Sequence, residues 1–376
     1  MCPMSNRFIV LTFFSGPVFC PVAWLSFLVL VLSPGAMSDT VLLVGRCPIE
    51  SVISLTAGLF LSDSNDQVLV AQRLGEVNLF ALDGKGKTKA VVSRLVLLKV
   101  GTRGFEPVWR SSLILEPKGL SAGVGSDVAA VGDFDFDQFY EVVLVGGDSV
   151  RILELNGAER TVDFSAGAVE GAVIADVDGD SFPELALLAT VFDSLGNRQV
   201  VEILGWQDGG LVLKGKPVEI LAAERGLRFS LLGAARLEDY PGTPVILGSE
   251  EKRVKPGVYG AVYAVNPDSF AFTFTPFPAH DWFSKEEVLP AGRLQLFNVG
   301  DTLVAYGFFV PGSRPGGPAK SFAALQDGAW RLLRLKPAAQ RLSGLICRFR
   351  YQGQNGWLEL RGNIFYFYPG EPFYWR

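Results

Sequence analysis

Val131-Gly132-Asp133-Phe134-Asp135-Phe136-Asp137-Gln138-Phe139-Tyr140-Glu141 and Ile174-Ala175-Asp176-Val177-Asp178-Gly179-Asp180-Ser181-Phe182-Pro183-Glu184 are two versions of one segment. In each, carboxylates fall at relative positions 1, 3, 5 and 9, and apolar runs lead in and out (Val142 to Val145, Leu185 to Leu188). Acids packed this densely repel one another unless a hard cation sits among them, and Ca2+ takes six to eight oxygens in such crowded loops. The expected ligands are Asp133, Asp135, Asp137 and Glu141 in the first loop and Asp176, Asp178, Asp180 and Glu184 in the second. Backbone carbonyls of Phe139 and Phe182 would add the seventh-position ligand. An EF-hand opens in the same way, but it needs a bidentate Glu at position 12 and a helix on each side. Here position 12 is Leu144 or Leu187, inside an apolar run of strand length, so the reading is strand, loop, strand.

Asp133 to Asp176 and Glu141 to Glu184 are both 43 residues apart, the length of one propeller blade. The two loops and this spacing resemble the FG-GAP or VCBS repeats of the integrin alpha-subunit head and of many exported bacterial proteins. That resemblance implies an acidic Ca2+ loop joining the first two strands of a blade, with the ion stiffening the blade. The second loop is the closer match, with Gly179 between its second and third acids, which favours it for Ca2+. The first departs from the pattern at Phe136 and Gln138.

Strand-like runs extend the repeat along the chain. Ser51 to Asp83 is a worn copy with the polar turn Ser62 to Asp66. Val68 to Ala71 and Glu76 to Leu82 read there as separate strands, and Lys89 to Val100 and Val108 to Leu115 follow. Asp127 to Glu170 and Gly171 to Ile220 are the two complete copies. Phe229 to Phe277 keeps the strand frame but has Arg236 where the first acid belongs, so a guanidinium is expected to hold that turn. Val288 to Leu335 is a further copy, and Leu345 to Tyr368 ends one strand short. Val41 to Val44 has no neighbour in sequence and would complete that last blade, removing the edges of an open sheet. The expected fold is all-β: a single β-propeller of six four-stranded blades, closed by the N-terminal strand. The long first copy leaves room for a seventh blade as the alternative.

Composition fits this architecture. With 376 residues, 49% of them hydrophobic, and 42 glycines and 22 prolines, the chain suits many short strands and turns. Residues 1–38 read as a signal peptide or membrane anchor, with residues 39–376 as the propeller. Arg7 precedes the apolar stretch Phe8 to Leu32, and Ala36-Met37-Ser38 offers small residues for cleavage before Asp39. Left uncleaved, the stretch is long enough to span a bilayer. Either reading places the rest outside the cytoplasm, in the periplasm or at the cell surface. Cys47 and Cys347 remain in the mature chain, either bonded in an oxidising compartment or as two buried thiols.

Charge and missing chemistry narrow the function. The net charge of −5 becomes about −6 without Arg7, and no basic cluster follows a phosphate backbone, so nucleic acid is not expected. His280 is the only histidine, which leaves little for His-ligated zinc or a Ser/His/Asp arrangement. No phosphate-binding glycine motif occurs. Phe270, Phe272, Phe274, Phe277, Trp282 and Phe283 form either an aromatic ligand face or one side of a buried strand. The expectation is a non-enzymatic, monomeric, calcium-stabilised binding or scaffolding module for a protein or polysaccharide partner, touching membrane only through an uncleaved leader. Two alternatives stand beside it: a carbohydrate-active enzyme resembling polysaccharide lyases on Ca2+-bearing propellers, and a membrane-anchored envelope assembly factor.

Overall fold

Leu185, Ala186, Leu187, Leu188 and Ala189 are all buried. Successive side chains on a strand point to opposite faces, so this run must be covered on both sides. Leu185, Leu187 and Ala189 share a core with Val143, Val145, Val150 and Ile152, while Ala186 and Leu188 pack with Val201, Val245 and Leu247. A sheet sandwiched between two others explains why the strand reads as an unbroken apolar run rather than an alternating one.

The computed structural model describes residues 41–375 except 62–66, 81–86, 103, 118–127, 134, 136, 147–148, 156–158, 164–166, 194–195, 208, 221–228, 235–241, 244, 251–258, 267–270, 276–287, 300–301, 312–318 and 327–328. The expected leader, Arg236, His280, and Phe270, Phe277, Trp282 and Phe283 lie outside the described residues. No helix of the described residues is long and apolar enough to cross a membrane.

The chain opens with β1 (Leu42–Arg46). The next antiparallel sheet holds β2 (Val52–Gly58), β3 (Gln67–Phe80), β4 (Lys87–Gly101) and β5 (Gly104–Arg110), with β6 (Ile114–Pro117) added to β4. Then come β7 (Val128–Gly132), β8 (Glu141–Gly146), β9 (Ser149–Leu153) and β10 (Glu159–Asp163). The following sheet has β11 (Gly167–Ala175), β12 (Glu184–Asp193), β13 (Gly196–Gln207) and β14 (Gly210–Leu213), with β15 (Val218–Glu219) against β13. Next are β16 (Phe229–Ala234), β17 (Val245–Glu250), β18 (Tyr259–Asn266) and β19 (Ala271–Thr275), then β20 (Val288–Val299), β21 (Thr302–Pro311), β22 (Ala319–Gln326) and β23 (Ala329–Leu332). After β24 (Arg334–Leu335) and a 3-10 turn at Pro337–Arg341, the last sheet contains β25 (Leu345–Tyr351), β26 (Gln354–Arg361) and β27 (Ile364–Pro369). β28 (Phe373–Tyr374) pairs with β24.

The sheets run as meanders, the last completed by β1, and first strands of neighbouring sheets lie side by side: β2 against β7, β7 against β11, β11 against β16, β16 against β20, and β25 against β2. This is a β-propeller arrangement, and its cores lie between sheets. Leu69, Leu95 and Leu97 meet Val142, Leu144 and Leu153; Val304 and Phe322 meet Ile346 and Trp357; Val68, Val96 and Leu98 meet Phe349, Leu358 and Phe367. Two glutamine amides reinforce the joints by copying a peptide group. Gln199 accepts from Phe229 N at 2.8 Å and donates to Phe229 O at 3.0 Å, and Gln295 makes the same pair of bonds to Ile346.

The orphan strand completes the last sheet: β1 pairs antiparallel with β27, Leu42 opposite Phe367. Cys47 follows directly, its N–H donating to Asn363 O at 2.8 Å. Cys47 and Cys347 are buried in one core with no disulfide joining them, as in the second of the two readings.

Two expectations need correction. Val68 to Phe80 lies in one strand rather than two, because a bulge between Arg73 and Gly75, with Gly75 at φ 148°, bends β3 without ending it. The segment that left room for a seventh blade is consumed by β4, β5 and β6 of the same sheet, so it supplies no additional blade.

Candidate metal centre

Both acidic loops join the first two strands of their sheets, β7 to β8 and β11 to β12, and they match almost bond for bond. Short Asp side chains readily accept from backbone N–H groups a few residues on, and that is how the loops are wound. Asp133 Oδ2 accepts from Gln138 N at 3.1 Å, and Asp176 Oδ2 from Ser181 N at 3.1 Å. Asp135 Oδ1 accepts from Asp137 N at 3.3 Å, and Asp178 Oδ1 from Asp180 N at 3.2 Å. Asp137 and Asp180 each cap the following Phe139 or Phe182 N–H at 2.8 Å. Gln138 and Ser181 both take left-handed backbone, φ 77° and 74°. The departure at Gln138 therefore leaves the loop geometry unchanged.

The winding gathers carboxylates. Oxygens of Asp133, Asp135, Asp137 and Glu141 lie within 4.8 Å of one another, as do those of Asp176, Asp178 and Glu184. Asp180 is outside the second group, while the rings of Phe139 and Phe182 are exposed. In the first loop, Asp133 Oδ1 is buried without a hydrogen-bond partner. Burial, followed by the charge of Asp137, pushes the Asp135 carboxyl up; Glu154 and Asp133 add to this, against a lowering hydrogen bond from Asp137 N. Among the described residues, no lysine or arginine pairs with Asp133, Asp135 or Asp137. This donor set suits a hard divalent cation: four carboxylates, one with an orphaned buried oxygen, in a loop already wound.

The second loop is electrostatically different. Lys214 Nζ stands 2.9 Å from Asp178 Oδ2, 3.1 Å from Asp180 Oδ2 and 2.5 Å from Glu184 Oε1. The position-nine acid has two duties. Glu184 Oε2 accepts from Val177 N at 2.8 Å, while Oε1 takes the ammonium. Burial is the largest influence on Glu184 and leaves its carboxyl raised, despite the lowering bonds from Lys214 and Val177.

Sequence reasoning missed two residues here. Lys214 was invisible because it lies on the far side of the sheet's chain path, past β14. Gln67 was hidden in the worn copy: it opens β3 as Glu184 opens β12, and its Oε1 accepts from Phe60 N and Leu61 N. Aligning the first residue of each second strand (Gln67, Glu141, Glu184) would have found it.

Fold and site together define an all-β propeller with paired acidic inter-strand loops. No protein-family model matches the chain, and no curated protein matches it.

Proposed function

We propose that this protein is an exported, calcium-stabilised β-propeller of six blades, its ring closed by β1, that serves as a binding or scaffolding module. The observation that carries the calcium reading is the first loop. Asp133, Asp135, Asp137 and Glu141 converge there with a buried, unpartnered Asp133 Oδ1. Ca2+ held by these residues would supply the missing partner and relieve the mutual repulsion of the carboxylates, so its role is structural. It would lock the β7–β8 turn against the neighbouring sheet, where Tyr140 N donates to Leu59 O at 2.9 Å.

The module acts by presenting its loop faces to a protein or polysaccharide rather than by catalysis, because the acids at the loops are already engaged by backbone N–H groups. The acidic net charge turns it away from nucleic acid. Export rests on the apolar leader that ends near Asp39.

Thermal unfolding in CaCl2 and in EGTA tests the reading. At Ca2+ 100-fold above Kd, mass action contributes about 2.7 kcal/mol, and Tm rises in the wild type but much less in Asp135→Asn. Equal Tm in both buffers for the wild type would overturn it.

A further inference from the structure

The second loop contains its own cation. Lys214 follows β14, the outer strand of its sheet, and its N–H donates to Ile203 O at 2.8 Å. From there the side chain crosses back over β13 toward the β11–β12 turn. The crossing needs Gly205: a Cβ at that residue would lie 2.9 Å from Lys214 Cε and 3.2 Å from Cδ. The ammonium then delivers its three donors to three carboxylates, Asp178, Asp180 and Glu184.

The first loop has different surroundings at the same register. Leu185 pairs with Leu204 and Val142 with Leu153, so Glu154 holds the place of Gly205. A path for a lysine stem is replaced there by a further carboxylate, one of the charges that act on Asp135. Arg160, opposite Ile152, is the register counterpart of Lys214 on β10.

We propose that the Lys214 ammonium is the resident cation of the second acidic loop, taking the position that the repeat pattern gives to Ca2+, so that this loop folds without metal. The two loops thus share a scaffold but divide in cation: a tethered lysine in one and, on the reading above, a free ion in the other. Contacts of 2.9, 3.1 and 2.5 Å to Asp178, Asp180 and Glu184 hold the ammonium against the loop. A divalent ion held by Asp176, Asp178 and Glu184 would compete with this side chain for two of its three partners, Asp178 and Glu184.

Calcium titration calorimetry and thermal unfolding of the full chain test the inference, using wild type, Lys214→Met and Asp178→Asn. Lys214→Met should lose stability in EGTA, bind one more Ca2+ than wild type, and recover in Ca2+ with a Tm rise on the order of 5 °C beyond that of wild type. Asp178→Asn should leave the wild-type Ca2+ stoichiometry unchanged, and it decides the question if Lys214→Met does not fold. Loss of one bound Ca2+ in Asp178→Asn, or an unchanged stoichiometry in a folded Lys214→Met, would overturn the proposal. Failure of the first-loop reading looks different: wild type would bind no Ca2+ while Lys214→Met binds one, and the role of Lys214 would stand.

Discussion

Gln67 and Glu184 cap the same turn in two different sheets: Gln67 Oε1 accepts from Phe60 N at 3.2 Å, and Glu184 Oε2 accepts from Val177 N at 2.8 Å. Each is the first residue of its sheet's second strand and is almost fully buried. The property kept between the copies is an acceptor aimed back into the turn, and the charge is secondary to it.

Replacing the acceptor therefore matters more than removing the charge. Gln67→Leu leaves the buried Phe60 N–H and the half-buried Leu61 N–H without this acceptor and should cost about 1–3 kcal/mol. Glu184→Gln should be milder than Glu184→Leu, because the amide oxygen can still serve Val177. Urea unfolding of the three variants, read as midpoint shifts at constant m-value, checks the order.

Leu187 has no exposed surface and is packed between Val143 on one sheet and its own neighbours. Leu187→Ala opens a cavity at a joint between sheets and should cost about 2–5 kcal/mol. A loss below ~1 kcal/mol in denaturant melts would contradict the sandwiched placement of β12.

Acid should act through Glu359, which is fully buried yet accepts from Arg361 and the Tyr368 hydroxyl at 2.7 Å each and from Ser343 N and Gly344 N at 2.8 Å each. Burial by itself would raise this carboxyl, but the bonds from Arg361, Ser343, Gly344 and Tyr368 prevail and hold it below the ordinary glutamate value. The folded protein therefore binds this proton less tightly than the unfolded chain does. Its stabilising contribution is complete above the unfolded value of about 4.3 and fades as pH falls through that value toward the lower folded one. The stability difference between wild type and Glu359→Gln should shrink between pH ~5 and ~3, and a difference that is constant across that window would refute the assignment.

Thiol chemistry should report folding. Burial pushes the Cys47 thiol up, against a smaller lowering by the Ile49 backbone, and Cys347 is 3% exposed. Peptide-resolved alkylation at pH 7.5 should leave both unmodified in the native protein and modify both in 6 M guanidinium. Rapid native labelling at Cys47 would show that the joint between β1 and the β2–β6 sheet is open.

Much of the strand frame was legible because apolar runs of strand length recur between turn residues, and Leu185 to Ala189 or Val142 to Val145 leave no helical reading. The pairing of the first strand with the last sheet was legible for a related reason: Val41 to Val44 had no partner nearby, and Leu345 to Tyr368 lacked one. The long β3 was not, since Gly75 looks like a break in sequence and acts as a bulge in space. At the site, the acids at positions 1, 3, 5 and 9 announced the two loops, and their shared hydrogen bonds follow from that spacing. The electrostatic contrast between them was hidden, because it depends on Lys214, Gly205 and Glu154, which reach the loops only through the register of β9 and β13.

The union of Leu42 with Phe367 has a consequence for biosynthesis. During translation β1 emerges about 325 residues ahead of its hydrogen-bonding partner β27, so at 5–20 residues per second the first strand waits roughly 15–65 s for the second. Until then the nascent chain carries an open sheet edge, the kind of surface that recruits foreign strands. Such a distant pairing also raises contact order and slows the final step. A fold that pairs its first strand with one made so much later gains a covered edge only by delaying its completion, and that interval is when chaperone protection matters most.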